Sequence, residues 1–369
     1  MKFKINKQTL ANSLRKVSHV VNAKSPILAL NGIFFDVNEK GLTLVGSDTE
    51  ITIKTNITEN ISIKKTGKLI LPKFVEEIIR KMDDENIEIE LISNDLVLFK
   101  SNKSEFKING IDASQFPNID YSLTGDLIKL NNSDMIDIIN ETSFAVSTEV
   151  LRPQLTGVNF VCENNVITCV ATDSFRLARK NIQVNDTKDF NIIIPGKCLS
   201  EVNKLLTNNK DNIDIYLDNQ KILFNFDDTI IISRLIKGSY PPTANLIPTN
   251  FECTLVINKK VIKDALDRAN ILSINTQNFT VNLEKNVDIL SISSNNKEVG
   301  SINENLDYIN YIGNEIKVSF NSKYVIEALN TFKEDNIKFQ FNGKMNPIIL
   351  EQENNNNLIQ LILPVKNPF

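Results

Sequence analysis

Leu69 to Leu91 reads LILPKFVEEIIRKMDDENIEIEL, Ile192 to Leu217 reads IIIPGKCLSEVNKLLTNNKDNIDIYL, and Ile316 to Phe341 reads IKVSFNSKYVIEALNTFKEDNIKFQF. Each stretch is an apolar strand, an amphipathic helix, and then an acidic residue followed by Asn-Ile, which opens an alternating strand. The Asn-Ile steps fall at Asn86, Asn212 and Asn336, so the period is about a third of the 369 residues. Chance rarely repeats a strand-helix-strand unit twice in register. Working outward, three helix starts follow short strands, at Ile5-Asn6-Lys7, Leu130-Asn131-Asn132 and Ile257-Asn258-Lys259. In each, the Asn side chain is placed to cap free amides of the first turn. Leu10, Leu14, Val17 and Val21 make one apolar stripe at helical spacing, as do Val261, Ile262, Ala265, Leu266 and Ala269. Between the helices, Leu30-Asn31-Gly32-Ile33 with Gly46-Ser47-Asp48 mirrors Leu155-Thr156-Gly157-Val158 with Ala171-Thr172-Asp173. In the third copy this stretch has drifted, and Phe279-Thr280-Val281-Asn282-Leu283 matches only loosely. The reading is an α+β chain of three repeated domains, 1-124, 125-248 and 249-369, each with two helices and about eight strands.

Length and composition agree. A chain this long exceeds one ordinary core and fits three domains of about 120 residues. At 41% hydrophobic and 23% charged it reads as soluble and globular. The start Met1-Lys2-Phe3-Lys4 has no signal-peptide pattern, and no apolar run approaches the roughly 18 residues of a membrane span. Cys162, Cys169, Cys198 and Cys253 lack metal spacing and read as reduced core thiols of a cytoplasmic protein. The Asn354 to Asn357 run reads as a hairpin tip.

Catalytic and metal-binding patterns are missing. The single His19 excludes most histidine-based catalysis and metal sites, and reads as a residue at a helix end. Gly67-Lys68, Gly196-Lys197 and Gly343-Lys344 lack the other elements of a phosphate-binding loop. Asp83-Asp84-Glu85 reads as a solvated turn after a helix. No catalytic residue, metal site or cofactor is assigned, and the chain reads as a non-enzyme.

Four further stretches carry a resemblance. Ala171-Thr172-Asp173-Ser174-Phe175-Arg176-Leu177-Ala178, Phe116-Pro117-Asn118-Ile119-Asp120, Gly238-Ser239-Tyr240-Pro241 with Ile247-Pro248, and Leu361-Ile362-Leu363-Pro364-Val365 stand in order along the chain. Together with the threefold repeat they resemble the bacterial DNA polymerase III beta subunit family, the sliding clamps. The resemblance implies the DNA clamp fold, with helices packed on antiparallel sheets and two chains joined head to tail in a ring around duplex DNA. A head-to-tail interface closes only when the rotation per unit divides the circle, and three equal domains supply half of a pseudo-sixfold turn.

Charge fits that expectation. The six repeat-defined helical segments together carry +5, so the net −4 leaves −9 for all other positions. A basic lining with an acidic exterior admits a duplex without holding it fast. The partition is uneven, because Asn132 to Ser143 carries −3.

The resemblance also implies a groove that takes short hydrophobic peptides from the replicative polymerase, the clamp loader and other replication and repair proteins. By motif position it comprises Leu155, Thr172, Ser174, Phe175, Arg176, Leu177, Pro241 and Leu246, with Asn346, Leu361, Ile362, Leu363, Pro364 and Val365 from the last repeat. Arg176 and backbone groups are expected to orient the peptide against apolar walls. Lys24, Arg152 and Gln154 match DNA-facing positions. The chain departs from the family pattern in three places. Phe175 stands where a His is common, Asn245 stands where some members carry Arg, and Asn367-Pro368-Phe369 runs past the usual end. That tail has two open courses, across the groove or away from it. A cytoplasmic, nucleoid-associated homodimer with no membrane contact is expected. The alternative is a repeat-built scaffold that binds no DNA, which would form no ring.

Overall fold

A computed structural model describes residues 1–207, 211–273, 279–353 and 355–366. The first third runs β1 Lys2–Asn6, α1 Lys7–Ser18, β2 Gly32–Asn38, β3 Gly41–Ser47, β4 Ile51–Ile57, β5 Ile61–Lys65, β6 Gly67–Pro72, α2 Val75–Lys81, β7 Asn86–Leu91, β8 Leu96–Lys100 and β9 Glu105–Asn109. The second runs β10 Asp126–Asn131, α3 Asn132–Thr142, β11 Gly157–Glu163, β12 Val166–Thr172, β13 Arg176–Gln183, β14 Phe190–Pro195, α4 Gly196–Leu205, β15 Asn212–Leu217, β16 Lys221–Phe226 and β17 Thr229–Arg234. The last runs β18 Cys253–Asn258, α5 Lys259–Asn270, β19 Thr280–Lys285, β20 Leu290–Asn296, β21 Gly300–Leu306, β22 Asn310–Gly313, β23 Ile316–Asn321, α6 Ser322–Leu329, β24 Asn336–Phe341, β25 Ile348–Gln352 and β26 Leu358–Ile362. The repeat is therefore structural. Each Asn-Ile step opens a strand (β7, β15, β24), and the drifted third copy still forms β19 in its place.

Local chemistry sets the helix starts. The Asn6 side chain accepts from the Thr9 amide at 3.1 Å and Asn258 from the Lys260 amide at 3.0 Å, satisfying donors that the first turn leaves free. The Asn131 amide instead donates to Asp134 at 3.2 Å. Leu10, Leu14 and Val17 of α1, and Ile262, Ala265, Leu266 and Ala269 of α5, are fully buried, as their spacing requires. His19 ends α1, with Nδ1 3.2 Å from Glu201 Oε2.

The chain forms two compact units, Met1–Met135 with Lys197–Leu235, and Ile136–Gly196 with Ile236–Phe369. The first holds an eight-stranded sheet, β10-β15-β16-β17-β4-β3-β2-β6, and a five-stranded sheet, β5-β1-β7-β8-β9. The second holds a nine-stranded sheet, β14-β11-β12-β13-β26-β25-β24-β18-β22, and a four-stranded sheet, β21-β20-β19-β23. Both larger sheets thus cross a repeat boundary, through β17 with β4 and through β13 with β26. Within the second unit, Phe320, Phe339, Phe341, Leu329 and Ile362 belong to one buried cluster with the apolar face of α5. Asn355 to Asn357 lie between β25 and β26, where a hairpin tip is expected; Asn354 lies outside the described residues.

The four cysteines are free and buried. Burial pushes the Cys198 thiol up to about 12 and raises Cys169 and Cys162 as well. Reaction needs the thiolate, so a thiol reagent at pH 8 should leave Cys162, Cys169 and Cys198 untouched in the folded protein and label them in denaturant. Rapid native labelling of Cys169 or Cys198 would contradict this packing. Among the described residues no helix is long and apolar enough to cross a membrane, and no group of three His, Cys, Asp or Glu could hold a metal ion.

Candidate functional site

The surface singled out by motif lies wholly within the second unit, where β13 pairs with β26. Side chains alternate across a sheet, so neighbouring residues of one strand serve opposite faces. Leu177 of β13 sits directly opposite Leu361 of β26, which in turn faces Ile349 of β25. These three form one apolar cluster with Val170 and Ile359, and Tyr240, Ile247 and Phe251 pack onto it from the segment before β18. Arg179, two residues beyond Leu177, faces the same way at the end of the floor; burial lowers its pKa, and the nearby Glu351 opposes that. Val170, Ile349, Ile359 and Arg179 were not among the expected residues, although alternation outward from Leu177 and Leu361 points to them.

The rim is built by the turn from β12 to β13. Asp173 Oδ1 accepts from the amides of Phe175 at 2.9 Å and Arg176 at 3.0 Å, while Thr172 Oγ1 accepts from Ser174 at 3.1 Å. Ser174 takes φ of 78°, a left-handed conformation that the turn imposes. Phe175 is thereby lifted to 59% exposure, and its carbonyl accepts from the Leu363 amide at 2.9 Å. Leu246, Leu363 and Val365 are also exposed apolar side chains, and Pro241, Ser174 and Asn346 are exposed. Pro364 is half-buried and Leu155 is buried. The Thr172 amide donates to the Tyr240 hydroxyl at 3.0 Å, tying the segment before β18 to the floor. Burial pushes the Tyr240 phenol above its ordinary range.

Two expected residues have other roles. Ile362 points to the opposite face and is buried in the core beneath the helices, because it follows Leu361 in an alternating strand. Arg176 likewise faces away from Leu177. Its guanidinium bonds Asp173, Glu327 and the Phe144 carbonyl and lies between the rings of Phe144 and Tyr324, so it supports the turn from behind. Lys24 and Arg152 are exposed on loops, whereas Gln154 is half-buried against Gly238. The tail residues Asn367, Pro368 and Phe369 lie outside the described residues.

Fold and surface together define a repeat-built protein with an apolar floor rimmed by exposed Phe175, Leu246, Leu363 and Val365. Three family descriptions match in order: the DNA polymerase III beta subunit N-terminal domain over residues 1–120, its central domain over 129–242 and its C-terminal domain over 244–366. The Beta sliding clamp of Staphylococcus aureus (strain Mu50) is 34% identical over 374 residues, covering 99% of each chain. That of Staphylococcus epidermidis is 35% identical with the same coverage. The crystal structure of the DNA polymerase sliding clamp from Bacillus subtilis superposes with a TM-score of 0.96 at 33% identity, covering 100% of this chain and 99% of that one. The beta subunit from Streptococcus pyogenes gives 0.95 at 33%, covering both chains fully. The chain belongs to the bacterial DNA polymerase III beta subunit family, the sliding clamps. Its function is that of a DNA polymerase processivity factor, not an enzyme, and a scaffold without DNA binding is not favoured.

Proposed function

We propose that two copies of this chain close head to tail into a ring that encircles duplex DNA, and that the surface over Leu177 and Leu361 tethers replication proteins by a hydrophobic peptide. The observation that carries the ring is an unmatched pair of sheet edges. Strands β4, β13 and β21 are equivalent in the three repeats, as are β17, β26 and β9. Two of the three pairings they can form are made within the chain, β4 with β17 and β13 with β26. The third, β21 with β9, is not made, and each of these strands ends its sheet. Joining the five-stranded and four-stranded sheets of two copies completes a third composite sheet and removes both edges, which would otherwise invite uncontrolled pairing. The division into domains 1-124, 125-248 and 249-369 belongs to this reading, as do the replicative polymerase, the clamp loader and other motif-bearing proteins as partners.

A ring holds DNA by topology, so it needs no base contacts and only weak phosphate contacts. Protein loaded on a covalently closed circle should stay bound through a moderate salt wash and leave once the circle is cut. Equal loss from circles and linear DNA would overturn the ring. In this reading Lys24 and Arg152, both exposed on loops, and the half-buried Gln154 supply direct phosphate contacts. Replacing both cations by Ala should lower the slope of log affinity against log salt by about 2 while leaving the dimer intact. An unchanged slope would remove them from the DNA surface.

A further inference from the structure

The turn that lifts Phe175 to the rim is tied by consecutive polar contacts to a helix on the far side of the sheet. Glu327 of α6 bonds Arg176 Nη1, and Arg176 Nε donates to Asp173 Oδ2 at 3.0 Å. The other oxygen of that carboxylate accepts the amides of Phe175 and Arg176. Nη2 donates to the Phe144 carbonyl at 2.7 Å, and the guanidinium carbon lies 5.1 Å and 4.6 Å from the ring centroids of Phe144 and Tyr324. The Arg176 side chain is only 11% exposed and Asp173 14%, so water screens that pair little, while Glu327, at 32%, reaches the guanidinium from the edge of solvent.

The first repeat has the same turn without the intermediate. Asp48 Oδ1 accepts the Glu50 and Ile51 amides at 3.1 and 2.8 Å, and Thr49 takes φ of 81°, as Ser174 does. Asp48 Oδ2 pairs directly with Lys197 of α4, whose side chain is 64% exposed. In both repeats the turn aspartate is thus linked to the second helix of the following repeat. Only in the second is the link a buried arginine held on two aromatic faces, and only there does the turn carry an exposed aromatic residue. A solvated lysine pair is worth little, whereas a fork-shaped cation with all its neighbours fixed transmits a displacement of one partner to the other.

We infer that Arg176 is a positioning residue that couples the peptide surface to α6, so that peptide affinity depends on Glu327 although Glu327 lies on the opposite side of the sheet. The inference rests on the reading of this surface as a peptide site.

The test is titration of a labelled peptide carrying a Gln-Leu-x-Leu-Phe type motif against the full-length protein and three variants on α6. Glu327→Ala should weaken binding about 2- to 30-fold, the range that mutations along a coupled network produce. Glu327→Gln keeps an acceptor for Arg176 Nη1 and should recover most of that loss. Lys323→Ala, an exposed position on the same helix, should bind like the unmodified protein. Binding is read at a temperature where circular dichroism shows all three variants folded, which separates positioning from unfolding. If the parent fails to bind the peptide, the site reading falls and the inference with it. If the parent binds and Glu327→Ala binds equally well, or if Gln is as damaging as Ala, the coupling is wrong and the site stands.

Discussion

Replacing Phe106 by Asp should convert the protein from a particle of twice 41.7 kDa to one of 41.7 kDa. Strand register makes the case. Phe106 lies opposite Phe99, as Ile231 lies opposite Phe224 and Gln360 opposite Leu350, so the three are equivalent positions of the last strand of each repeat. Ile231 and Gln360 are 0% and 1% exposed because a neighbouring repeat covers them, while Phe106 is 38% exposed. Ile231 pairs with Ile53 and Gln360 with Ala178; the corresponding residue of β21 is Ile302. The register of the missing junction therefore sets Phe106 of one copy against Ile302 of the other. Burying the ring there contributes about 2 to 3 kcal/mol, and an unpaired carboxylate in its place costs several more. The combined loss corresponds to at least a thousandfold weaker dimer. Ile302→Asp should act alike, whereas Leu127→Asp, an exposed leucine on the edge strand β10, should leave the mass unchanged. Light scattering or sedimentation at micromolar concentration decides it. A Phe106→Asp protein that still runs as a dimer would mean the chains join along other strands.

Much of this architecture was legible because the repeat was. Helix caps, apolar stripes and the Asn-Ile steps are local patterns, and local patterns survive in sequence when each copy meets the same physical demand. The third copy drifted where the demand changed. Phe34 on the outer face of β2 is covered by the Phe116 ring at 4.9 Å, and Val170 of β12 is covered by the segment carrying Tyr240. The equivalent outer face of β19, β20 and β21 presents Ser291, Ser293, Asn295, Ser301 and Asn303 around an open concavity of about 500 Å³. No described segment lies over it. Apolar residues there would be left in water, so the pattern that marked the first two copies has no reason to persist.

The site was legible in outline and not in detail, for a different reason. Leu361-Ile362-Leu363 reads as a continuous apolar run, and nothing in such a run says which residue faces which side. The structure assigns Leu361 to the floor and Ile362 to the helix-side core. Arg176 was expected to orient the peptide, and its partner Glu327 could not be read from the sequence because it is 151 positions away. A contact that distant leaves no trace in spacing or periodicity.

Truncation of Leu177 should abolish stimulation of the polymerase while leaving the ring closed. Leu177 is 2% exposed and central to the floor, in contact with Leu361, Ile349, Ile359 and Val170. An apolar anchor that fills such a surface is worth about 2 to 4 kcal/mol on truncation at an interface. That lowers the affinity of a micromolar peptide by roughly 30-fold to nearly 1000-fold, below useful occupancy. The same change leaves a gap beneath the rim and costs about 2 to 5 kcal/mol of stability, so folding must be checked beside binding. Leu363 and Val365, 38% and 37% exposed, provide variants with less cost to the fold, and their Ala forms should weaken the peptide in the same direction. Deleting Leu363 to Phe369 also removes the bonds from the Leu363 amide to Phe175 and from the Val365 amide to Ser319, and should be as damaging as Leu177→Ala. None of these residues lies on β9 or β21, so the solution mass should stay at twice the chain mass. Equal peptide affinity for parent and Leu177→Ala, with both shown to be folded dimers, would place the tether elsewhere on the molecule.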